Sequence, residues 1–169
     1  MGTGGGDTDL AAAAQGVVWG SFVISGVWLS VRDIRTHRLP NRGVAAAGLL
    51  AVVSVSVLAW LSRDLALFVR AGASAIILCG AYLTLFLLGG MGMGDVKYAG
   101  VIGLYLGSQS WWALWWGTLI AFALASCWGT WVRLRRKAIR PGTFAFGPAM
   151  VAGAGLGVWW SAGTPWLLS

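Results

Sequence analysis

Long apolar segments separated by short polar breaks dominate this sequence and constrain what it can fold into. Of its 169 residues, 58% are hydrophobic and only 10% are charged, and its mean hydropathy is +0.77. Soluble domains carry about 25% charged residues, and a helix needs about 20 apolar residues to cross a bilayer. We therefore expect a single all-α membrane domain covering residues 1–169, in which helices cross the bilayer several times.

Six segments are apolar enough to be transmembrane helices, at residues 10–31, 43–61, 65–88, 96–107, 111–132 and 144–168. Residues 1–9 are polar and glycine-rich and are predicted to be a mobile tail. The sixth segment contains several glycines and is expected to be interrupted at Pro148 and Pro165.

The fourth segment is unusually short. Its roughly 12 residues would rise about 18 Å, against about 30 Å of hydrocarbon. We therefore expect helix 4 to begin below the inner membrane surface. The glycines before it (Gly89, Gly90, Gly92 and Gly94) are then expected to be non-helical and to line a small aqueous pocket, because exposed backbone is not tolerated in lipid.

The basic residues are distributed unevenly between the polar breaks. Of the 12 lysines and arginines, only Arg63 and Arg70 fall on one side if the chain crosses six times. The other side holds Arg32, Arg35, Arg38, Arg42, Lys97, Arg133, Arg135, Arg136, Lys137 and Arg140. By the positive-inside rule this side is cytoplasmic and both termini are outside. The net charge of +7 is then explained by topology and anionic headgroups, not by nucleic acid.

Two carboxylates stand out in a chain that has five aspartates and no glutamate. Asp33 and Asp95 each lie at the end of an apolar segment, where a carboxylate is costly and therefore a candidate functional group. Six crossings place both on the cytoplasmic side. Two carboxylates that share one pocket and one proton are the equipment of an aspartic protease.

Structural roles are the alternatives for the same residues. Asp95 would cap helix 4, and Asp33 would pair with Arg32 or Arg35 at a solvated helix end. Pro40 sets the start of helix 2, which Asn41 is expected to cap. Lys97 is two residues past Asp95 and is expected to reach the interface instead of pairing with it.

No metal or cofactor site is expected from the remaining residues. Cys79 and Cys127 lie inside apolar segments and form no CxxC motif, and His37 is the only histidine. Too few ligands remain for a His/Cys metal site.

Three short motifs occur together: Asp33 followed by Pro40-Asn41, then Gly92-x-Gly94-Asp95-x-Lys97, then Phe146-Gly147-Pro148. Their order and spacing resemble the type IV prepilin leader peptidases, a branch of the GxGD aspartic proteases. The resemblance implies that Asp33 and Asp95 are catalytic, supported by Gly92, Gly94, Lys97, Pro40, Asn41, Gly147 and Pro148. It also implies a prepilin or pseudopilin substrate whose basic leader is cut at the cytoplasmic face of a prokaryotic inner membrane.

The sequence departs from the larger members of that family in one respect. The break between helices 1 and 2 contains no cysteine, whereas bifunctional members carry a four-cysteine metal domain there. N-methylation is therefore not implied, and the chain is similar to the minimal peptidases of tight-adherence (Flp-type) pilus systems or to the archaeal preflagellin peptidases.

Two other functions remain open from the sequence. A small proton-coupled transporter would use Asp33 and Asp95 as relay groups, with the short helix 4 as a gate. An inactive relative would act as an assembly partner. Asparagine at either aspartate would abolish cleavage by a protease, abolish flux through a transporter and change little in a scaffold.

Overall fold

The computed structural model describes residues 4–36, 40–89, 91–135 and 146–163. These residues form six α-helices and, within the described ranges, no β-strand. The helices are α1 (Gly4–Thr36), α2 (Asn41–Leu61), α3 (Leu65–Leu87), α4 (Met93–Gln109), α5 (Trp111–Arg135) and α6 (Gly147–Gly163). The all-α expectation is therefore confirmed.

Four helices (α1, α2, α3 and α5) are long and apolar enough to cross a membrane. Large apolar side chains remain exposed on their outer faces, including Ile24 at 71%, Trp60 at 82% and Ile76 at 74% exposure. Such surfaces suit lipid contact, because water is a poor solvent for them. Helices α4 and α6 have 17 residues each, and a six-crossing topology stays a prediction.

Two helix pairs, α3–α4 and α5–α6, make the most extensive contacts in the bundle. Glycines allow their backbones to approach closely. A β-carbon placed on Gly103 of α4 would lie 2.7 Å from Ala75 Cα of α3. One placed on Gly157 of α6 would overlap the backbone of Gly117 in α5. Small residues at helix interfaces are the usual means of close packing in membranes.

Helix α1 packs on α2 and α6, and α2 also packs on α4. A buried polar contact links three of these helices. Ser21 Oγ of α1 lies 3.0 Å from Tyr105 Oη of α4 and donates to Ser54 Oγ of α2 at 3.4 Å. The contact joins α1 to α4 at mid-bundle and satisfies polar groups that would be costly to bury alone.

Helix α4 begins three residues earlier than the sequence predicted. Gly92 is extended (φ −85°, ψ 148°) and precedes the first helical residue, Met93. Gly94 is therefore helical, and the prediction of non-helical backbone there was wrong. Gly89 is in a turn with φ +77°, which a glycine adopts without steric cost.

Arg70 of α3 binds the other end of α4. Its Nε donates to the carbonyl of Gly107 at 2.7 Å, and its Nη2 donates to those of Ser108 and Gln109 at 3.2 and 3.3 Å. The last carbonyls of a helix have no partner within the helix and carry partial negative charge. Arg70 supplies both the donors and the compensating charge.

Two other predicted segments differ from the structure. α1 begins at Gly4, so residues 4–9 extend the helix where a tail was predicted; adding residues to a formed helix is far less costly than nucleating one. Pro148 does not interrupt α6, because it is in the first turn, where no backbone N–H donor is required. Predictions for residues 1–3, His37, Arg38, Gly90, Arg136, Lys137, Arg140, Phe144, Ala145 and residues 164–168 lie outside the described residues.

Candidate active site

Asp33 lies near the end of α1 and is only 5% exposed. Its Oδ2 accepts a hydrogen bond of 2.9 Å from the backbone N–H of Gly147, the first residue of α6. The N–H groups in the first turn of a helix have no partner within the helix and carry partial positive charge. The start of α6 therefore holds one oxygen of the Asp33 carboxyl group.

Glycine at position 147 allows this close approach. A β-carbon there would lie 2.9 Å from Asp33 Oδ2 and 3.4 Å from Asp33 Cγ. The preceding residue, Phe146, packs its ring against Tyr82 of α3 and Phe122 of α5, with centroids 6.0 and 5.7 Å away. This aromatic cluster fixes the start of α6, and with it the N–H group that binds Asp33.

Asp95 is the third residue of α4 and is partly buried. Its Oδ2 accepts a long hydrogen bond of 3.4 Å from Gly92 N, and its own N–H donates to the Gly92 carbonyl at 3.1 Å. The carboxylate thus stabilises the first turn of α4 from inside the helix, while Gly92 occupies the N-cap position. A capping contribution and a chemical role are compatible.

The structure brings the two aspartates together. Asp33 is near the end of α1, Asp95 is at the start of α4, and the two carboxyl groups are close enough for their charges to interact. The sequence placed both on one side of the membrane but did not establish their approach. Two carboxyl groups whose charges interact resist double ionisation, and a pair that shares one proton is equipped for acid–base chemistry.

Pro40, Asn41 and Lys97 lie at the start of α2 and in the first turns of α4. Pro40 is the N-cap of α2, and its carbonyl accepts from Gly43 N and Val44 N at 2.9 and 3.0 Å. Asn41 does not cap α2, contrary to the prediction, because Pro40 occupies that position. The Asn41 Oδ1 instead accepts from Lys97 Nζ at 3.0 Å, which ties α2 to α4 two residues beyond Asp95.

Comparison with known proteins decides the family. The model of the type IV leader peptidase family matches residues 20–134, a stretch that contains both aspartates. The chain belongs to the type IV leader peptidase family. No curated protein and no solved structure matches the chain. Membership of this leader peptidase family, together with four helices able to span a membrane, identifies a membrane protease.

The family match ends before α6. The contact between Gly147 and Asp33 is therefore an independent structural observation that adds the start of α6 to the candidate site. The sequence singled out Gly147 and Pro148 but did not predict the contact between Gly147 and Asp33. A contact between residues 114 positions apart depends on how the helices pack, which no local motif encodes.

Sequence reasoning missed two tyrosines beside the aspartates of this leader peptidase. Tyr82 of α3 and Tyr98 of α4 are each 2% exposed. The charge of Asp95 acts on the Tyr82 phenol, and that of Asp33 acts on the Tyr98 phenol. Helical spacing could have identified Tyr98, because it follows Asp95 by three residues and so lies on the same helix face.

The other predicted feature of the site was an aqueous pocket with Asp95 on its wall. A cavity of about 10 Å³ lies among α3, α4, α5 and α6, lined mainly by apolar residues with Tyr82 and Thr118, and neither aspartate lines it. The aqueous pocket at Asp95 stays a prediction. Within the described residues, no group of three or more His, Cys, Asp or Glu side chains could hold a metal ion.

Proposed function

We propose that this leader peptidase is an aspartic endopeptidase that removes the basic leader of type IV prepilins or pseudopilins. Asp33 and Asp95 are the catalytic pair. The proposal is supported by the charge interaction between these two carboxyl groups, which come from different helices, within a segment that matches the leader peptidase family. No cofactor and no N-methylation enter the reaction.

The proposed chemistry uses the pair as one unit. One carboxylate takes a proton from a water molecule, and the resulting hydroxide attacks the scissile carbonyl carbon. The other carboxyl group, which is protonated, donates to the carbonyl oxygen. The tetrahedral intermediate then collapses and the C–N bond breaks. The leaving nitrogen takes up the proton that the first carboxylate removed from water, and a hydroxyl of the intermediate returns a proton to the second. The hydrogen bond from Gly147 N to Asp33 Oδ2 keeps one carboxyl group in place throughout.

The proposed setting is a prokaryotic inner membrane crossed by all six helices, with both termini outside. Asp33 and Asp95 then lie at the cytoplasmic face, where a prepilin's basic leader meets its apolar helix. Four exposed basic residues lie near the aspartates in sequence or at the start of α2: Arg32, Arg35, Arg42 and Lys97. We assign this basic rim to anionic headgroups, since a basic leader would be repelled by it.

The test is cleavage of a co-expressed prepilin in membranes, read as a gel shift, by the wild type, Asp33→Asn and Asp95→Asn. Asparagine keeps the size of the side chain but can neither ionise nor share a proton. Each variant is expected to lose at least about a hundredfold in rate, the lower range for removal of an acid–base group.

Asp64→Asn is the matched control for this experiment. Asp64 also lies at a helix end, where it caps α3 by accepting from Leu67 N at 3.0 Å, but it has no part in the proposed pair. The control should insert and cleave at the wild-type rate. Full-rate cleavage by either catalytic variant would refute the two-aspartate mechanism, and an inactive wild type on several leaders would refute the proposed substrate.

A further inference from the structure

A buried hydroxyl group lies one helical turn from Asp33. The Oγ of Ser30 is buried and has no hydrogen-bond partner among the residues that the structure describes. Serine hydroxyls on α1 otherwise bond their own helix, as Ser25 does by donating to the Ser21 carbonyl at 2.6 Å. Buried polar groups are nearly always paired, so an unpaired one beside a candidate active site calls for a partner of another kind.

The hydroxyl of Tyr98 approaches the same face of α1 from the other side. Tyr98 is 2% exposed, and its Oη lies 3.6 Å from the position that a β-carbon on Gly26 would occupy. Gly26 and Ser30 are four residues apart and so share a face of α1. The Tyr98 phenol is also near enough to Asp33 for their charges to interact.

Three successive contacts give α1 and α4 opposite directions. Asp33 is near Asp95, Gly26 is near Tyr98, and Ser21 is near Tyr105, so residue numbers fall along α1 as they rise along α4. Ser30 precedes Asp33 by three residues, and Tyr98 follows Asp95 by three. Ser30 therefore lies one turn below Asp33 on α1, and the Tyr98 hydroxyl lies near the level of Gly26, one further turn below.

From this arrangement we infer that Ser30 and Tyr98 form a polar floor beneath the aspartates, a site for one water molecule that hydrogen-bonds the Asp33 carboxyl group. The inference rests on the proposed function and deepens it. A buried water molecule typically has about three polar partners, and the two hydroxyls and the carboxyl group supply three. Asp33 is then held from one side by Gly147 N and from below by this water. Ser30 and Tyr98 are positioning residues for the reaction.

Kinetics of Ser30→Ala and Tyr98→Phe in membranes provide the first test. Each change removes one hydroxyl and keeps most of the packing. We expect kcat to fall roughly tenfold, because a catalytic group that is poorly oriented is far less effective, while KM stays unchanged. The double variant should lose little more than either single one, since both changes remove the same water.

The matched controls are Ser25→Ala and Tyr105→Phe. These residues are on the same two helices, and their hydroxyls contact the Ser21 carbonyl and Ser21 Oγ at positions farther from the aspartates. The controls are expected to leave kcat unchanged, whatever their effect on the melting temperature in detergent. Equal kcat losses in the test and control pairs would overturn the inference, as would independent losses that multiply in the double variant.

An infrared measurement tests the polar floor without relying on cleavage. Its result therefore distinguishes a failure of the inferred water site from a failure of the proposed function. The absorption bands of the Asp33 carboxyl group are assigned by their loss in Asp33→Asn. We expect these bands to shift in Ser30→Ala and Tyr98→Phe and to stay unchanged in both controls. Bands that do not move in either test variant would overturn the inference, whether or not the wild type cleaves a prepilin.

Discussion

At the scale of single residues, Gly147 shows how a backbone group positions a candidate catalytic side chain. Its N–H group binds Asp33 Oδ2 at 2.9 Å, and the absence of a side chain permits that distance. A glycine in the first turn of a helix has a small entropic cost, and here it gives the carboxyl group of Asp33 room to approach.

Gly147→Ala is expected to displace Asp33 and slow cleavage. The added β-carbon would lie 2.9 Å from Asp33 Oδ2, so the carboxyl group must shift by several tenths of an ångström. We expect kcat to fall by about tenfold or more, because small misplacements of catalytic groups are costly. Gly155→Ala, also on α6, is the control, since nothing lies within 4 Å of a β-carbon there. Wild-type kcat for Gly147→Ala would contradict the positioning role of this contact.

The sequence pointed to Asp33 and Asp95 because carboxylates are rare and costly in apolar segments. It gave the wrong role to Asn41, because whether Pro40 or Asn41 occupies the N-cap depends on one residue of helix register. It also gave no sign of the contact between Asn41 and Lys97, which depends on the packing of α2 against α4. Rarity of a residue type can be read locally, whereas contacts across the bundle cannot.

At the scale of helices, α4 carries Asp95 and makes one of the two most extensive helix contacts in the bundle, with α3. Gly103 places the α4 backbone against Ser74 and Ala75 of α3, and Gly107 places it against Ser74 and Ala71. The sequence predicted a later start for α4 because glycine is a poor helix former. In the structure Gly94 is helical, because the first turn is stabilised by the contact between Gly92 and Asp95 and by packing on α3. Tertiary packing overrode local propensity there.

Gly103→Ala should destabilise this pair of helices. A β-carbon would lie 2.7 Å from both Ala75 Cα and the Ser74 carbonyl oxygen, and backbone cannot move aside as a flexible side chain can. We expect a loss of about 1–3 kcal/mol, typical of overpacking, seen as a lower melting temperature in detergent. Gly80→Ala on α3 has open space around its β-carbon and should melt at or above the wild-type temperature. Equal melting temperatures for the two variants would show that the helices separate at little cost.

At the scale of the whole molecule, the hydrophobic pattern predicted six helices and an all-α fold, and the part of the chain that the structure describes has six helices and no strand. The pattern succeeded because lipid forces every backbone group in a spanning segment into helical hydrogen bonds. The direction in which each helix crosses is set by loop charges and the membrane, so it requires a separate measurement.

Labelling of single cysteines from each side of the membrane tests the orientation. In a chain with Cys79 and Cys127 replaced by alanine, Arg35→Cys places one thiol in the last turn of α1, and Arg63→Cys places one in the turn between α2 and α3. Both positions are exposed. We expect Arg63→Cys to react with an impermeant maleimide added to intact cells, and Arg35→Cys to react only after the membrane is opened. The reverse pattern would place the aspartates on the outer face and contradict leader removal at the cytoplasmic face.

Arg70 has a consequence for how such a chain enters a bilayer. It is one of only two basic residues on the predicted outer side, and its guanidinium is already matched by three carbonyls at the end of α4. Once α3 and α4 have paired, the partial negative charge at the end of α4 offsets part of the charge of this guanidinium. Arg63, the other basic residue on that side, is exposed in the turn before α3. The charge imbalance across the folded hairpin is therefore steeper than a tally of lysines and arginines indicates.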